Sequence, residues 1–326
     1  MEYDINVTQD DITDRNISTV ANQVIKLNDR SSGNPLRVMS EEDWTFWKNN
    51  GYIVIKNAVP QEQTRRLAKL IWEFEELDPA DQSTWYPEKR TELKKKELSF
   101  NAGMVELYNH QFLWDNRQYP RVYDAFVDVW GREDLWVTID RVNFNLPPEP
   151  GFEFKGFMHW DYDPDNDPEV VQGVLSLNDQ TDESVGGFQC IPEIFQNYAA
   201  WRNKQPEKFE WYRANVSEFT PVKVLLGEGD LLIFSSRLCH GIRQNVSADK
   251  VRMAQYISMM PAQEYNESLR DWRIRSWRER LAPEGYSLHG DPREWEKTKY
   301  QTAELSELGE KLLGLASWNT PEEPRK

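Results

Sequence analysis

At 326 residues, 39% hydrophobic and 13% aromatic, the chain can bury the core of one large domain or two small ones, which speaks against disorder throughout. A net charge of −16 and a pI near 4.9 repel phosphate backbones and anionic headgroups, so neither nucleic acid nor a membrane surface is an expected partner. The opening MEYDINVTQDD lacks a signal-peptide pattern, and no apolar run reaches the roughly 18 residues of a membrane span. The expectation is a cytoplasmic protein whose two cysteines, Cys190 and Cys239, are reduced.

Residues 1–39 are polar and aperiodic and carry Ser31-Ser32-Gly33-Asn34-Pro35, which predicts a loosely held arm. Ser40-Glu41-Glu42-Asp43 reads as a helix N-cap with an acidic first turn, Trp44 and Trp47 share a face, and Asn50-Gly51 reads as the C-cap. Tyr52-Ile53-Val54-Ile55 predicts a strand. Beyond Pro60, Leu67, Leu70, Ile71, Phe74 and Leu77 recur at helical spacing. The run KRTELKKKE over 89–97 reads as a solvated face or loop. Pro120 opens a third helix through Val122, Phe126 and Val129, which Gly131 ends.

From Leu135 the period changes to two. Residues 135–144, 170–177, 222–226, 231–234 and 251–259 form β-rich runs separated by Gly, Pro, Asn and Asp. Helices first and strands afterwards predict a mainly β fold with flanking helices: an antiparallel, double-stranded β-helix (jelly roll, cupin-like) buttressed by N-terminal helices. After Pro261 the chain turns helical and basic through residues 270–280. The expected organisation is an arm over 1–39, the jelly-roll domain over 40–261, and a helical extension over 262–326 belonging to the same domain. The extension would serve either as a lid over the site or as a contact in a homodimer.

One of only four histidines sits in Phe157-Met158-His159-Trp160-Asp161-Tyr162-Asp163. In extended backbone His159 and Asp161 project from one face, where an imidazole and a carboxylate can bind one ion. A third ligand would come from His110, His240 or His289, and only His240 follows a β-rich segment, Gly229-Asp230-Leu231-Leu232-Ile233-Phe234. Two histidines and one carboxylate that leave open positions form the facial triad of non-haem Fe(II) oxygenases. On spacing alone the histidines read equally well as packed core residues. The carboxylates Asp163, Asp165, Asp167 and Glu169 alternate like a calcium ladder, but lack an EF-hand's loop glycine and flanking helices.

Four stretches, in order, sharpen this reading. They are Asn50-Gly51-Tyr52-Ile53-Val54-Ile55-Lys56, His159-Trp160-Asp161, Gly186-Gly187-Phe188-Gln189-Cys190-Ile191-Pro192, and the closing Gly229–Phe234 with His240-Gly241, Asn245 and Arg252. Together, over roughly residues 42–261, they resemble the phytanoyl-CoA dioxygenase family of Fe(II)- and 2-oxoglutarate-dependent oxygenases. The resemblance implies Fe(II) held by His159, Asp161 and His240, with O2 and the cosubstrate 2-oxoglutarate taking the open positions. It also implies oxidative decarboxylation to succinate and CO2, coupled to oxidation of a C–H bond, usually hydroxylation. Arg252, on one strand face with Tyr256, matches the arginine that grips the distal carboxylate of 2-oxoglutarate, a task suited to a guanidinium.

The sequence departs from the family pattern at three places. Ile242 stands where a serine often follows the distal His-Gly, Pro192-Glu193-Ile194-Phe195 replaces Pro-Gly-Ser-His, and Trp160 separates the proximal ligands where acyl-CoA members often have glutamine. Substrate identity is therefore not inherited; the expectation is a small polar metabolite. Arg141, as a pocket residue, would favour one bearing a carboxylate, and reads otherwise as a sheet-edge ion pair. Trp160 reads either as a pocket wall or as core. Two other classes stand beside the oxygenase: a non-oxidative cupin-like metal enzyme (isomerase or hydrolase), which would not need Arg252, and a ligand-binding protein on an oxygenase scaffold, against which the intact ligand set speaks.

Overall fold

The computed structural model describes residues 26–86, 103–148, 158–166, 170–213, 215–283 and 290–319. The charged run over 89–97, His289, Asp167 and Glu169 lie outside the described residues.

Helix α1 (Glu41–Asn50) starts where its cap predicts: the Asp43 N–H donates to Ser40 Oγ at 3.0 Å and the Ser40 N–H to Asp43 Oδ2 at 2.9 Å. Gly51 ends it at φ 72, and a Cβ there would lie 2.7 Å from the Phe195 ring, so both conformation and space demand glycine. Helix α2 (Gln61–Glu75) buries the expected face of Leu67, Leu70, Ile71 and Phe74. Next come α3 (Gln111–Arg117), which no sequence signal announced, and α4 (Pro120–Trp130), with proline in its first turn and Gly131 as its left-handed cap.

The strands are β1 (Tyr52–Ile55), β2 (Met104–Val105), β3 (Leu135–Val137), β4 (Val142–Asn145), β5 (Val171–Ser176), β6 (Gly187–Cys190), β7 (Val222–Lys223), β8 (Leu231–Ser235), β9 (His240–Arg243), β10 (Arg252–Tyr256) and β11 (Met259–Pro261). Six form an antiparallel sheet in the order β1-β8-β5-β10-β4-β2; β7-β6-β9 form a second and β11-β3 a third. The single strand expected over 135–144 is two, because β3 pairs with β11 while β4 pairs with β10 and β2.

Alternation on the large sheet sorts its two faces. Ile53, Ile55, Val142, Phe144, Leu175, Leu231, Ile233 and Met253 join α2 and α4 in the main core. Val174, Leu232, Phe234 and Ala254 point the other way and meet Phe188 and Cys190 of β6 in a second core. The large sheet thus has helices on one face and the β6-containing sheet on the other, a mainly β architecture with flanking helices. Arg252, Asn143 and Asn145 occupy the same inner face, away from the helices.

Short helices α5 (Pro192–Gln196) and α6 (Tyr198–Arg202) follow β6; α7 (Glu267–Glu279), α8 (Trp295–Thr298) and α9 (Glu307–Leu313) make up the C-terminal region. Helix α7 is fastened to β3 and α9, where Arg273 donates to the Val137, Leu312 and Leu313 carbonyls, and to the segment before α9, where the Trp277 indole donates to the Ala303 carbonyl at 3.0 Å. Residues 26–39, expected to be loosely held, are tied down at several points. Asp128 accepts the backbone N–H groups of Arg37, Val38 and Met39 at 2.7, 2.9 and 2.9 Å, a buried-carboxylate anchor that polar composition alone does not reveal.

Candidate metal centre

His240 opens β9 and bridges His159 through two main-chain bonds, His159 N–H to His240 O at 2.8 Å and the reverse at 3.0 Å. This antiparallel bridge sets the two rings 4.7 Å apart, across a sequence gap that only folding closes. Extended backbone then carries Asp161 back to the same side. Its Oδ1 lies 3.3 Å from His159 Nε2 and its Oδ2 lies 3.2 Å from His240 Nε2. Candidate ligand atoms of all three residues fall within 4.8 Å of one another.

The surroundings prepare these atoms. His240 Nδ1 is 2.9 Å from the Leu238 carbonyl, which can only accept, so Nδ1 carries a proton and Nε2 is the nitrogen that faces Asp161 and would, on losing its own proton, be open to a metal. Phe188 stacks on the imidazole at 5.5 Å and Phe234 packs on it at 4.6 Å, fixing its plane. Burial opposes ionisation of Asp161, but the charge of His240 and hydrogen bonds from both rings outweigh it and hold the carboxyl well below the usual range. A cation bound among the three would act on it in the same direction. The residues fit a divalent metal: two imidazole nitrogens and a carboxylate converge while the Asp161 side chain retains 37% exposure toward the cleft.

Arg252, on the inner face of the large sheet, is 1% exposed. Its Nη1 donates to Asn143 Oδ1 at 2.6 Å and Asn145 Oδ1 at 3.1 Å, and its Nε to Gln180 Oε1 at 3.1 Å. Nη2, on the side of Tyr256, has no well-formed hydrogen bond among the described residues, and no carboxylate there pairs with the guanidinium. Burial lowers its pKa, with Tyr256 acting in the opposite direction. Three amides share this positive charge without neutralising it, which leaves a fit for an anion such as the distal carboxylate of 2-oxoglutarate. Arg252 borders a small cleft with Asn145, Ile242, Arg243 and Asn245.

The other sequence candidates are placed differently. Arg141 is 8% exposed, pairs with Glu106 at 3.0 Å and lies 3.9 Å from Asp140. Trp160 is fully buried among Ile191, Ile194, Trp201, Trp211 and Cys239 and donates from its indole nitrogen to the Arg237 carbonyl at 2.9 Å. Alternation turns it away from the ligands on either side, which corrects the pocket-wall reading. His110 caps α3, its Nδ1 accepting the Phe112 N–H at 3.1 Å, and takes no part in the triad. Cys239 adjoins His240 but faces the Trp160 cluster, where burial pushes its thiol up.

Sequence reasoning missed Tyr212, whose ring stands 6.0 Å from that of His159 at the rim, and Gln172, which touches Asp161. Tyr212 comes from a one-turn helix with no periodic signal. Gln172 lay in a recognised β run, where its inward direction was readable and its partner was not.

Fold and site define the class: a mainly β protein with flanking helices and a His-Asp-His cluster able to hold a metal. The chain belongs to the phytanoyl-CoA dioxygenase family, whose sequence profile matches residues 47–254 and so spans the cluster and Arg252. This membership supports an oxygenase-type function dependent on iron and 2-oxoglutarate. The chain is also similar to Ava biosynthesis cluster protein O of Aspergillus versicolor, 27% identical over 252 residues that cover 68% of this chain and 79% of the relative. Two solved structures share the fold. The GlcNAc Inducible Gene 2 product of Candida albicans matches with TM-score 0.61 at 13% identity, over 87% of this chain and 78% of the other. A putative oxidoreductase from Salmonella typhimurium LT2 matches with TM-score 0.59 at 15% identity, over 85% and 83%. Among the described residues no helix is long and apolar enough to cross a membrane.

Proposed function

We propose that the protein is an Fe(II)- and 2-oxoglutarate-dependent dioxygenase, built on a double-stranded β-helix, that hydroxylates a C–H bond of a small polar metabolite and releases succinate and CO2. The observation that supports this reading is the presence of two features together: a His-Asp-His cluster able to hold a metal, and a buried arginine on the inner face of the large sheet that has no carboxylate partner among the described residues. A non-oxidative metal enzyme would need the first and have no use for the second.

His159, Asp161 and His240 would hold the metal, and Arg252 would receive the distal carboxylate of the keto acid. Fe(II), when bound, supplies the activation of O2 and the oxidative decarboxylation of 2-oxoglutarate. The protein's own residues orient and shield. Leu238 sets the tautomer of His240, Phe188 and Phe234 hold its plane, and Tyr212 borders the rim beside His159.

The expectation of a carboxylate on the substrate rested on Arg141, whose charge Glu106 already matches. Glu106 is itself held by the Tyr108 hydroxyl at 3.0 Å.

The test is to strip the protein with chelator, reload it with Fe(II) and reductant, and incubate it with 2-oxoglutarate and a metabolite extract. Succinate forms and a product gains the mass of one oxygen atom, whereas Zn(II)-loaded protein is inactive. Full activity of the stripped protein overturns the proposal.

A further inference from the structure

Gln172 has no part in the roles assigned so far, yet it touches the cluster. The geometry points to Gln172 as a positioning residue that keeps Asp161 to one-oxygen coordination of the metal, an inference that rests on the metal-site reading above. Gln172 lies on the inner face of β5, two residues before Val174, and pairs in register with Phe234, the residue whose ring packs on His240. Its Nε2 donates to Asp161 Oδ2 at 2.7 Å.

A carboxylate accepts hydrogen bonds only, so the nitrogen end of the amide must be the end that faces it. The carbonyl end, Oε1, is then buried with no donor among the described residues. For stability alone this is a poor arrangement, since a buried acceptor without a donor is unfavourable. It is the arrangement expected of a side chain retained for its N–H.

The consequence for a metal follows from counting donors. Asp161 Oδ1 lies beside His159 and Oδ2 beside His240, so an unrestrained carboxylate could offer both oxygens to one ion. A bidentate carboxylate would fill a position that the keto acid and dioxygen need. An N–H on Oδ2 draws off part of its charge and holds the carboxylate plane, leaving Oδ1 as the donor.

The experiment uses Gln172→Met, which keeps the length of the side chain and removes the donor. Co(II) is titrated into the full-length wild-type and variant proteins, with and without 2-oxoglutarate, and followed by visible absorption; the melting of the metal-free proteins is measured alongside. The expected result is a changed Co(II) absorption envelope in the variant, as a second Asp161 oxygen joins the metal, with an affinity altered by up to about 10- to 100-fold and unchanged melting. Wild-type affinity and spectrum in Gln172→Met overturn the inference and leave the metal site standing. Wild-type protein that binds no Co(II) overturns the metal-site reading and this inference with it. Should the variant fail to fold, a crystal structure of the Co(II)-loaded wild type decides: one Asp161 oxygen on the metal and the other on Gln172 supports the inference, and two oxygens on the metal refute it.

Discussion

Arg252 in the cleft wall and Arg273 in the C-terminal region are both buried, 1% and 5% exposed, and neither has a carboxylate partner among the described residues. Burial lowers both pKa values, that of Arg273 to about 9. The molecule meets the same difficulty in opposite ways. Arg273 donates to three main-chain carbonyls, Leu313 at 3.0 Å, Leu312 at 3.0 Å and Val137 at 2.7 Å, and lies 5.0 Å from the centre of the Trp136 ring. Carbonyls at the end of α9 and in β3 come with the fold, so this arginine is a clasp. Arg252 meets side-chain amides and Tyr256 but no carboxylate among the described residues, so its charge remains available to an anion. Burial of an arginine is thus no guide to its role; what satisfies it is.

The largest effect that sharpens this contrast is expected at the metal cluster. Asp161→Gly removes a ligand and a negative charge, so metal binding and turnover fall to background, while the melting temperature barely moves because Asp161 is part of no core cluster. Product mass spectrometry together with metal titration checks it, and near-native turnover would mean that Asp161 is not a ligand. Arg273→Ala should do the reverse. Three buried carbonyls lose their donor, each loss being worth about 1–3 kcal/mol, so urea unfolding shows a destabilisation of about 3 kcal/mol or more. Surviving folded protein keeps its dependence on 2-oxoglutarate.

Arg252→Ala tests the other half of the comparison. Loss of a buried charge-paired contact is expected to weaken 2-oxoglutarate by about 2–5 kcal/mol, read as a raised apparent KM with little change in Co(II) affinity. An unchanged KM would place the anchor on another cation, and Arg243 is the neighbour to try next.

The smallest effect concerns pH, at the far side of the clasp. Glu296 of α8 is pushed up to about 7 by burial, although it accepts the Tyr108 and Asn109 N–H groups at 2.8 and 2.6 Å. In the unfolded chain the carboxyl titrates near 4.5. The folded state therefore binds the extra proton between these values, and stability falls as pH rises from 4.5 to 7 by up to about 3 kcal/mol at this site. Glu296→Gln should flatten that slope in urea midpoints measured across the range, and a slope equal to the wild type's would show that other groups set it.

How much of this was legible in the chain varies with the kind of signal. The start and end of α1 were readable from Ser40, Asp43 and Gly51 because caps are local chemistry. The helical face of α2 and the alternation of β8 were readable because burial repeats with backbone geometry. Helix α3 was not, since its cap is a histidine ring acting through Nδ1, a use that no common N-cap pattern announces. The break between β3 and β4 was hidden as well, because an apolar alternating run does not say which partner each half will find.

At the site the same division holds. The direction of His159 and Asp161 to one face, and of Arg252 away from the helices, follows from period two in extended chain, and their order along the sequence carried the family resemblance. Sequence by itself therefore determined the class of fold, the candidate ligands and the candidate anchor. Tertiary structure alone decided that His240 bridges His159, that Glu106 closes on Arg141, that Trp160 belongs to the core and that Gln172 reaches Asp161. The physical reason is that local geometry specifies where a side chain points, whereas a contact also needs the partner's position. That position is set by sheet pairing between segments far apart in the chain.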